Sequence, residues 1–299
     1  MLNFVRRAWA PPVSQSDLER ALWKLGVDGS RDAIVHSSLS SFGNFVGGAE
    51  SLIRGLENSA RTLVMPAFTY YTLVWPSEHR SADWPQFLGD DGPPFRLDSP
   101  VSRDIGRVSQ TLLERSGSRR SSHPALSFVA YGAAAAETLS AQNLEHPYAP
   151  IGVLYALDAD VILLGVDQRS NTAMHYGEYL AGRPMLERWA NTSAGAVKTF
   201  YPNCSAAFNP IERHLESYKS LELGKSQIAV MRVRDVVDTT RRLLERDPYA
   251  LLCSYNNCRC QAVREKIKRE GLKPRRDALL ETYLGEPLEA LVAGRSSRH

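Results

Sequence analysis

The chain has 299 residues, of which 43% are hydrophobic, so it is long enough to bury one large core or two smaller ones. Its 36 basic and 33 acidic residues are interspersed and give a net charge of +3, which argues against nucleic acid as the main partner. No apolar run reaches the ~18 residues of a membrane span, and the charged, proline-containing start lacks the apolar core of a secretion signal. We therefore expect a cytoplasmic protein with no membrane partner.

Strand and helix patterns alternate through the first half of the chain. The segment 16–25 begins with a serine cap, spaces its apolar residues at helical intervals and ends at Gly26, so it predicts a helix. Further elements are predicted at 33–35 (strand), 49–56 (helix), 62–65 (strand), 105–115 (helix), 126–131 (strand) and 133–139 (helix). The alternation predicts an α/β fold, and because no linker divides the sequence we expect one domain over residues 1–299.

Residues 74–104 break this alternation. Trp, Pro, Asp and Gly crowd together there without helical or strand periodicity, in a segment too long for a simple connection. We interpret it as a lid or substrate loop.

The clearest element is the apolar run 160–166, which is typical of a central strand covered on both faces. It leads into residues 170–179, which follow the carboxyl end of this strand, and ligands of α/β sheets usually bind at such strand ends. On a helix, Thr172, His175 and Glu178 are three residues apart and share one face. A carboxylate makes a neighbouring histidine a better base, and a hydroxyl one turn earlier can stabilise an oxyanion. The pattern indicates acyl transfer without a protein nucleophile.

Two alternatives stay open for this face. His175 can be an ordinary histidine paired with a helical neighbour. His-x-x-Glu can also present two zinc ligands from one helical turn. His175 and Glu178 are therefore also candidate ligands of a metal-dependent hydrolase, although no third ligand is evident nearby.

Two further segments suit the binding of an anionic cofactor. The glycine-rich stretch 43–48 precedes a helix and offers exposed backbone amides, as an ordinary turn also would. The segment 119–124 places cations and hydroxyls before a strand, which fits nucleotide phosphates or a solvated basic turn.

In the last third, 186–210 is polar and is predicted to be a loop, helices are predicted at 211–217 and 233–245, and a strand at 227–231. The end, 296–299, is expected to fray. All four cysteines lie in this third: Cys204, Cys253, Cys258 and Cys260. Four thiolates match a closed tetrahedral zinc site that would clasp a subregion at 200–265, but the spacing is irregular and unrelated thiols or a disulfide are the alternatives.

Taken in order, the motifs resemble the aminoglycoside 3-N-acetyltransferase family, the antibiotic N-acetyltransferases. The resemblance extends from about residue 32 to residue 184. The matching segments are VHSSL at 35–39, VGG at 46–48, TLVMPAFTY at 62–70, GRVS at 106–109, RSSHP at 120–124 with Ser127, PIG at 150–152, LGV at 164–166 and NTAMHYGE at 171–178.

The resemblance implies a three-layer α/β/α sandwich around a mixed central sheet, here with a Cys-rich C-terminal segment. It also implies antibiotic resistance through direct transfer from acetyl-CoA, or another acyl-CoA, to an aminoglycoside amine. His175 would deprotonate the amine, Glu178 would orient His175 or bind the acceptor, and Thr172 would hydrogen-bond the thioester carbonyl.

The resemblance further implies two groups of donor-binding residues. The arm of the cofactor would be lined by His36, Ser37, Ser38, Leu39, Val46, Gly47, Gly48, Met65, Pro66, Phe68, Thr69 and Tyr70. The phosphate end or the nearby scaffold would be served by Arg107, Ser109, Arg120, Ser121, His123 and Ser127.

The sequence departs from the family on the acceptor side. Family members place an acidic segment after the catalytic helix, whereas 186–209 contain only Glu187 as an acid, against Arg188 and Lys198. Acids of the long loop are an alternative source of negative charge, and they are Glu78, Asp83, Asp90, Asp91 and Asp98. A non-catalytic acyl-CoA-binding protein is the third hypothesis.

Overall fold

The computed structural model describes residues 11–79 and 92–277. The α-helices are α1 (Gln15–Leu25), α2 (Gly48–Glu57), α3 (Arg107–Glu114), α4 (Ala135–Ser140), α5 (Ala149–Ala156), α6 (Ala173–Leu180), α7 (Val233–Arg246) and α8 (Cys260–Glu270). The strands are β1 (Ala33–Ser37), β2 (Thr62–Pro66), β3 (Leu73–Val74), β4 (Arg119–Arg120), β5 (Phe128–Gly132), β6 (Asp160–Leu164), β7 (Leu186–Thr192), β8 (Gly195–Tyr201), β9 (Lys219–Leu223) and β10 (Ser226–Arg232). The end at 296–299, which the sequence predicts to fray, and the loop acids Asp83, Asp90 and Asp91 lie outside the described residues.

Seven strands form the main sheet, in the order β4-β5-β2-β1-β6-β10-β9. Its centre is parallel, because β1 pairs in parallel with both β2 and β6, while the strands outside these three pair antiparallel. The predicted mixed sheet is therefore confirmed.

Successive residues of the central strands enter opposite cores. Ala33 and Val35 of β1 pack with α1, α2 and α3, whereas Ile34 packs with α4 to α8 on the other face. This is the period of two expected for a strand covered on both sides. The predicted α/β sandwich with helical layers on both faces is confirmed.

The first predicted helix shows how local chemistry sets an element's ends. The Ser14 hydroxyl accepts a hydrogen bond from the Asp17 backbone N–H, and the Asp17 carboxylate accepts one from the Ser14 N–H. At the other end, Gly26 adopts φ 92°, a left-handed conformation that favours glycine. The predicted cap at Ser16 is wrong, because the reciprocal cap is formed by Ser14, and Gly26 ends α1 where the sequence predicts. The bounds of α1 are within a residue of the prediction.

The prediction of a loop at 186–210 is wrong for its first part. Residues there form the β7–β8 hairpin, and β3 completes a second sheet of three strands. The loop is predicted from polar residues, but some of these are buried in the sheet and have partners there. Arg188 is 6% exposed, and its guanidinium lies 5.9 Å from the Trp75 ring centre. The helix predicted at 211–217 is a 3-10 helix at Asn209–His214.

The described helices include none long and apolar enough to cross a membrane. Residues 92–104, the described end of the long loop, pack onto the rest of the fold: Phe95 forms a bridge with Thr192, and the Ser102 N–H donates to the Phe68 carbonyl at 2.7 Å.

Candidate active site

A cavity of about 820 Å³ lies where the parallel strands β1, β2 and β6 end. Ser37, Pro66 and Val166 line it at these three strand ends, and Thr172 and His175 line it from the start of α6. The carboxyl edge of parallel strands is the usual ligand site of an α/β sheet. The fold thus places the predicted His175 face at such a site.

Helix α6 is buried on every side, which fixes the position of His175. All eight of its residues are buried, and a Cβ added to Gly177 would come within 2.7 Å of the Thr240 Cβ. Only a residue without a side chain fits between α6 and α7 at this contact. The catalytic candidates therefore stand on a rigid support.

His175 is paired with Glu178 on the same helix. The His175 Nδ1 lies 2.7 Å from the Glu178 Oε2, and the two side chains are 9% and 3% exposed. Because a carboxylate accepts hydrogen bonds, this contact assigns the imidazole proton to Nδ1 and leaves Nε2 as the basic nitrogen. The ring is stacked at 5.5 Å against Tyr148 and lies 4.9 Å from Phe208, so its orientation is also fixed by packing.

Glu178 receives donors on both of its oxygens. Its Oε1 accepts from the buried Arg183 guanidinium and from the Asn203 amide at 3.0 Å. Burial by itself would raise the pKa of Glu178, but the Arg183 charge and the hydrogen bonds from His175 and Asn203 outweigh burial and hold the pKa below its ordinary value. Glu178 is therefore an ionised carboxylate that orients His175.

This arrangement argues against His175 and Glu178 as metal ligands. Both carboxylate oxygens of Glu178 are occupied by protein donors, and His175 uses Nδ1 for the same carboxylate. Among the described residues, no third His, Cys, Asp or Glu joins the two in a group that could hold an ion. The geometry favours a general base over the metal-dependent hydrolase.

Thr172 lies one turn before His175, at the start of α6. Its N–H and hydroxyl lie 3.5 and 3.4 Å from the Nε2 of His36, the last residue but one of β1. Burial lowers the pKa of His36 to about 3, so its ring is neutral. These contacts are long, and the Thr172 donors can be drawn to a ligand oxygen instead.

The residues implied by the family resemblance divide into two sets. The members that line the cavity are His36, Ser37, Ser38, Leu39, Pro66, Phe68, Tyr70, Arg107, Ser109, Thr172 and His175. The members that do not line it are Val46, Gly47, Gly48, Met65, Thr69, Arg120, Ser121, His123, Ser127 and Glu178. From the glycine-rich stretch it is Gly43, Asn44 and Phe45 that reach the cavity.

Most of the second set holds the scaffold together. Arg120 donates to the carbonyls of Leu97, Ser99 and Ala67 and to the Ser127 hydroxyl. Burial lowers its pKa to about 10, which leaves it charged at neutral pH. Arg120 therefore ties the end of the long loop to the strand edge beside the cavity.

His123 and Ser121 are likewise bound by neighbouring backbone. The Nδ1 of His123 accepts from the N–H groups of Ala125 and Leu126, and its Nε2 lies 2.7 Å from the Thr199 hydroxyl. The Ser121 hydroxyl accepts from the Phe128 N–H at 2.8 Å. Both side chains shape the turn before β5.

Acid is expected to destabilise the fold through its buried histidines. Burial lowers the pKa of His36 and of His123 from 6.5 to about 3. The folded state then binds fewer protons than the unfolded chain, so this stability is complete above about pH 6.5 and is lost as the pH falls toward 3. Between pH 6 and pH 5, the free energy of unfolding should fall by about 1 kcal/mol less in a His123→Asn variant than in the wild type. Urea unfolding of both proteins at the two pH values checks this, and an equal fall in the two proteins would contradict it.

Sequence reasoning missed several cavity residues. These are Arg103, Asp104, Tyr148, Arg169, Tyr201 and Arg259. Arg103 and Asp104 are separated from the GRVS motif at 106–109 only by Ile105, and this proximity is a signal in the sequence. Arg259 lies between two cysteines, and only the fold brings it to the cavity.

The four cysteines meet in one cluster beside the active site. The sulfur atoms of Cys204, Cys253, Cys258 and Cys260 all lie within 4.8 Å of one another. Cys204 Sγ lies 3.4 Å from the sulfurs of both Cys253 and Cys260, and all four are free thiols. The cluster thus joins the loop after β8, which carries Cys204, to the segment 253–260, which carries the other three cysteines.

The structure defines the class as an α/β fold with a mixed sheet between helical layers and a buried His175–Glu178 pair near the carboxyl edge of that sheet. Comparison with known proteins makes this specific. A family model described as aminoglycoside 3-N-acetyltransferase matches residues 34–245. The chain belongs to this family, so the resemblance drawn from the motifs is confirmed.

Individual relatives agree. The aminoglycoside N(3)-acetyltransferase IX of Micromonospora chalcea is 33% identical over 182 residues, which are 57% of this chain and 63% of the relative. The aminoglycoside N(3)-acetyltransferase IV of Salmonella sp is 30% identical over 255 residues, 80% of this chain and 90% of that one. The match to the first of these therefore spans less than two thirds of its length.

Solved structures show the same fold. The apoenzyme of aminoglycoside acetyltransferase AAC(3)-IVa superposes with a TM-score of 0.73 at 28% identity, over 86% of this chain and 99% of that one. A histidine-to-alanine variant of that enzyme in complex with a gentamicin gives a TM-score of 0.70 at 27% identity, over 86% and 98% of the two chains.

Proposed function

We propose that this protein moves an acetyl group from acetyl-CoA to an amine of an aminoglycoside or related amino sugar, by direct transfer in the 820 Å³ cavity. The observation that carries the proposal is His175 on the cavity wall of a family member, with its Nδ1 bonded to the Glu178 carboxylate behind it at 2.7 Å. That contact leaves Nε2 free to accept a proton.

The reaction then needs no covalent protein intermediate. The acceptor amine attacks the thioester carbonyl carbon while Nε2 of His175 accepts its proton. The Thr172 N–H and hydroxyl donate to the oxyanion of the tetrahedral intermediate. The carbon–sulfur bond breaks, the amide remains on the acceptor, and the departing thiolate receives the proton from His175.

Donor binding is supported by the chemistry of one side of the cavity. The proposed pantetheine wall consists of His36, Ser37, Ser38, Leu39, Pro66, Phe68 and Tyr70. Arg107 and Ser109, with the neighbouring Arg103, offer a cation pair and a hydroxyl to the phosphates. Gly47 caps α2 and Gly48 begins it, while the Met65 sulfur lies 3.9 Å from the Ser109 hydroxyl. The remaining implied donor-side residues do not line the cavity, and they are Val46, Thr69, Arg120, Ser121, His123 and Ser127.

The acceptor is proposed from the relatives, since aminoglycosides name the family and a gentamicin and apramycin are bound in two neighbouring structures. Asp104 is an acidic side chain on the described cavity wall, and Glu187 is paired with Lys198 at 2.6 Å on the hairpin surface. Asp104 is therefore the described carboxylate best placed to attract an ammonium group.

Thiol release from acetyl-CoA with an amine panel tests the proposal. We expect turnover with gentamicin or apramycin, and raised resistance to that compound in a bacterium expressing the protein. Tight CoA binding with no turnover on any amine would instead support the non-catalytic alternative. Loss of turnover on chelation, with metal absent from His175→Ala, would support the hydrolase.

We further propose that Cys204, Cys253, Cys258 and Cys260 bind one zinc ion that clasps the subregion 200–265. Tetrahedral ligation at about 2.3 Å requires sulfurs roughly 3.8 Å apart, which the 4.8 Å cluster accommodates. Cys204 approaches two partners equally, at 3.4 Å, which favours a shared ion over a disulfide. Because both acetyl-CoA and reduced thiolates belong to the cytoplasm, we place the protein there.

Zinc content decides this point. The purified wild type is expected to hold one zinc per chain, and Cys258→Ser should hold much less because a closed site loses a quarter of its ligands. Tyr255→Phe is the matched control, since Tyr255 lies in the same loop and is 68% exposed. Equal zinc in Cys258→Ser and the wild type would eliminate the clasp.

A further inference from the structure

We propose that the metal at the four-cysteine cluster positions the catalytic pair: ligation of the cysteines holds Asn203 against Glu178 and holds Arg259 in the wall of the cavity. The inference rests on the zinc site and the His175 base proposed above. It assigns the cluster a part in the rate of the reaction in addition to its part in folding.

The first connection runs through Asn203. This residue directly precedes Cys204 and is 2% exposed. Its side-chain Nδ2 donates at 3.0 Å to the Glu178 Oε1 and also at 3.0 Å to the Cys204 carbonyl. A metal bound to Cys204 therefore restrains the backbone atom that holds the Asn203 amide in place.

The second connection runs through Arg259, which stands between the ligands Cys258 and Cys260. Its Nε donates to the Pro202 carbonyl at 2.9 Å and its Nη2 to the Asn203 carbonyl at 3.2 Å. The guanidinium lies 5.0 Å from the Tyr201 ring centre, and it lines the same cavity as His175. One side chain thus links the cysteine segment, the Asn203 backbone and the active site.

A third connection reaches the other partner of Glu178. Arg183, 1% exposed, forms an ion pair with Glu178 and donates through Nη2 to the carbonyls of Pro248 at 2.9 Å and Ala250 at 2.6 Å. These carbonyls lie in the loop that leads to Cys253. Each protein donor to Glu178 other than His175 is therefore braced by a segment that carries a cysteine ligand.

The physical consequence follows from the chemistry of a buried carboxylate. Without the ion, the residues after β8 and the segment 253–260 are still joined by the Arg259 hydrogen bonds, but Asn203 is held less firmly against Glu178. Glu178 then accepts fewer hydrogen bonds, so the strength of its hydrogen bond with His175 Nδ1 changes. The residues proposed to bind acetyl-CoA, at the ends of β1 and β2, stay in place. We expect a lower kcat with little change in the KM for acetyl-CoA.

Asn203→Ala separates this effect from folding, because Asn203 is not a metal ligand. The variant should keep its zinc and its affinity for CoA, and its kcat should fall roughly 10- to 100-fold, as expected for loss of a hydrogen bond to a charged group. Gln261→Ala is the control: Gln261 adjoins Cys260, but its amide donates to the Tyr255 carbonyl away from the cavity. It should behave as wild type.

A direct readout is the imidazole Nδ1 proton of His175 in the proton NMR spectrum. Its signal should shift in Asn203→Ala and in wild-type protein stripped of zinc by a chelator, and return when zinc alone is added back. A loaded wild type with normal transfer, whose stripped form or Asn203→Ala variant keeps the same kcat and the same signal, would overturn the inference. If stripping unfolds the chain, Cys258→Ser takes the place of the stripped protein, and an unchanged kcat and an unchanged signal in that variant would overturn the inference.

Failure of the proposed function gives a different pattern. If the loaded wild type transfers no acetyl group, or His175→Ala is fully active, the assigned chemistry is wrong. The NMR signal still reports whether the metal controls the His175–Glu178 contact. A wild type that holds no metal at all overturns the inference directly.

Discussion

His175→Ala is expected to lower kcat/KM for acetyl transfer by about 10²- to 10⁴-fold, the usual contribution of one general base. The loss should appear in kcat, because the imidazole acts on the amine proton and the donor wall is formed by other residues. Steady-state assay of thiol release measures the rate, and calorimetry with CoA checks that the donor still binds.

The matched control for this substitution is His214→Ala. His214 is an exposed histidine at the end of the 3-10 helix and does not line the cavity. It should retain the wild-type rate. An undiminished rate in His175→Ala would remove His175 from the chemistry.

Arg183→Met is expected to destabilise the fold by about 3–5 kcal/mol, because it leaves the Glu178 carboxylate buried without its counter-charge. Arg183 and Glu178 are 1% and 3% exposed, and Arg183 also donates to the Pro248 and Ala250 carbonyls. Loss of the Arg183 charge also removes the main influence that lowers the pKa of Glu178. The free energy of unfolding in urea at neutral pH measures the cost.

Two further variants distinguish the effect of losing the buried Arg183–Glu178 ion pair from the effect of losing an arginine charge on the surface. Arg96→Met breaks an ion pair with Asp98 in which both side chains are about three quarters exposed, at 74% and 75%, so it should change stability little. The double variant Arg183→Met/Glu178→Gln removes both buried charges and should recover part of the loss. If Arg183→Met is as stable as wild type, Glu178 is not held by this ion pair.

The sequence predicts the architecture well where burial dictates the pattern. Residues 160–164 are apolar except for Asp160 and form the central strand, because both of its faces are covered. Helix α1 is equally predictable from its apolar spacing and from Gly26 at its end, although its cap is Ser14 and not Ser16. These signals are local, and they need no knowledge of distant contacts.

The β7–β8 hairpin is harder to predict because its polar residues are satisfied by remote partners. Arg188 lies over the Trp75 ring, and Thr199 contacts His123, so residues that look suited to a loop are buried in a sheet. No pattern within 186–201 indicates those partners. Because Arg188 and Thr199 are polar and buried, the alternation of apolar and polar residues that marks a strand is not visible in this segment.

The candidate site shows the same division. Spacing places His175 and Glu178 on one face, because three residues make almost one helical turn. The role of Glu178 as an ionised orienting group depends on Arg183 and Asn203, and the second of these lies 25 residues away. Arg259 is further still from His175 in sequence, and its contacts with Pro202, Asn203 and Tyr201 at the cavity wall are visible only in the fold.

The central claim is that His175 Nε2 receives the proton of the acceptor amine, and a structure of the protein with CoA and an aminoglycoside tests it most directly. We expect the thiol of CoA to enter the cavity beside Thr172 and the reacting amine nitrogen to lie about 2.6–3.2 Å from Nε2. A thiol that ends outside the cavity, or an amine that contacts no part of His175, would contradict the assignment.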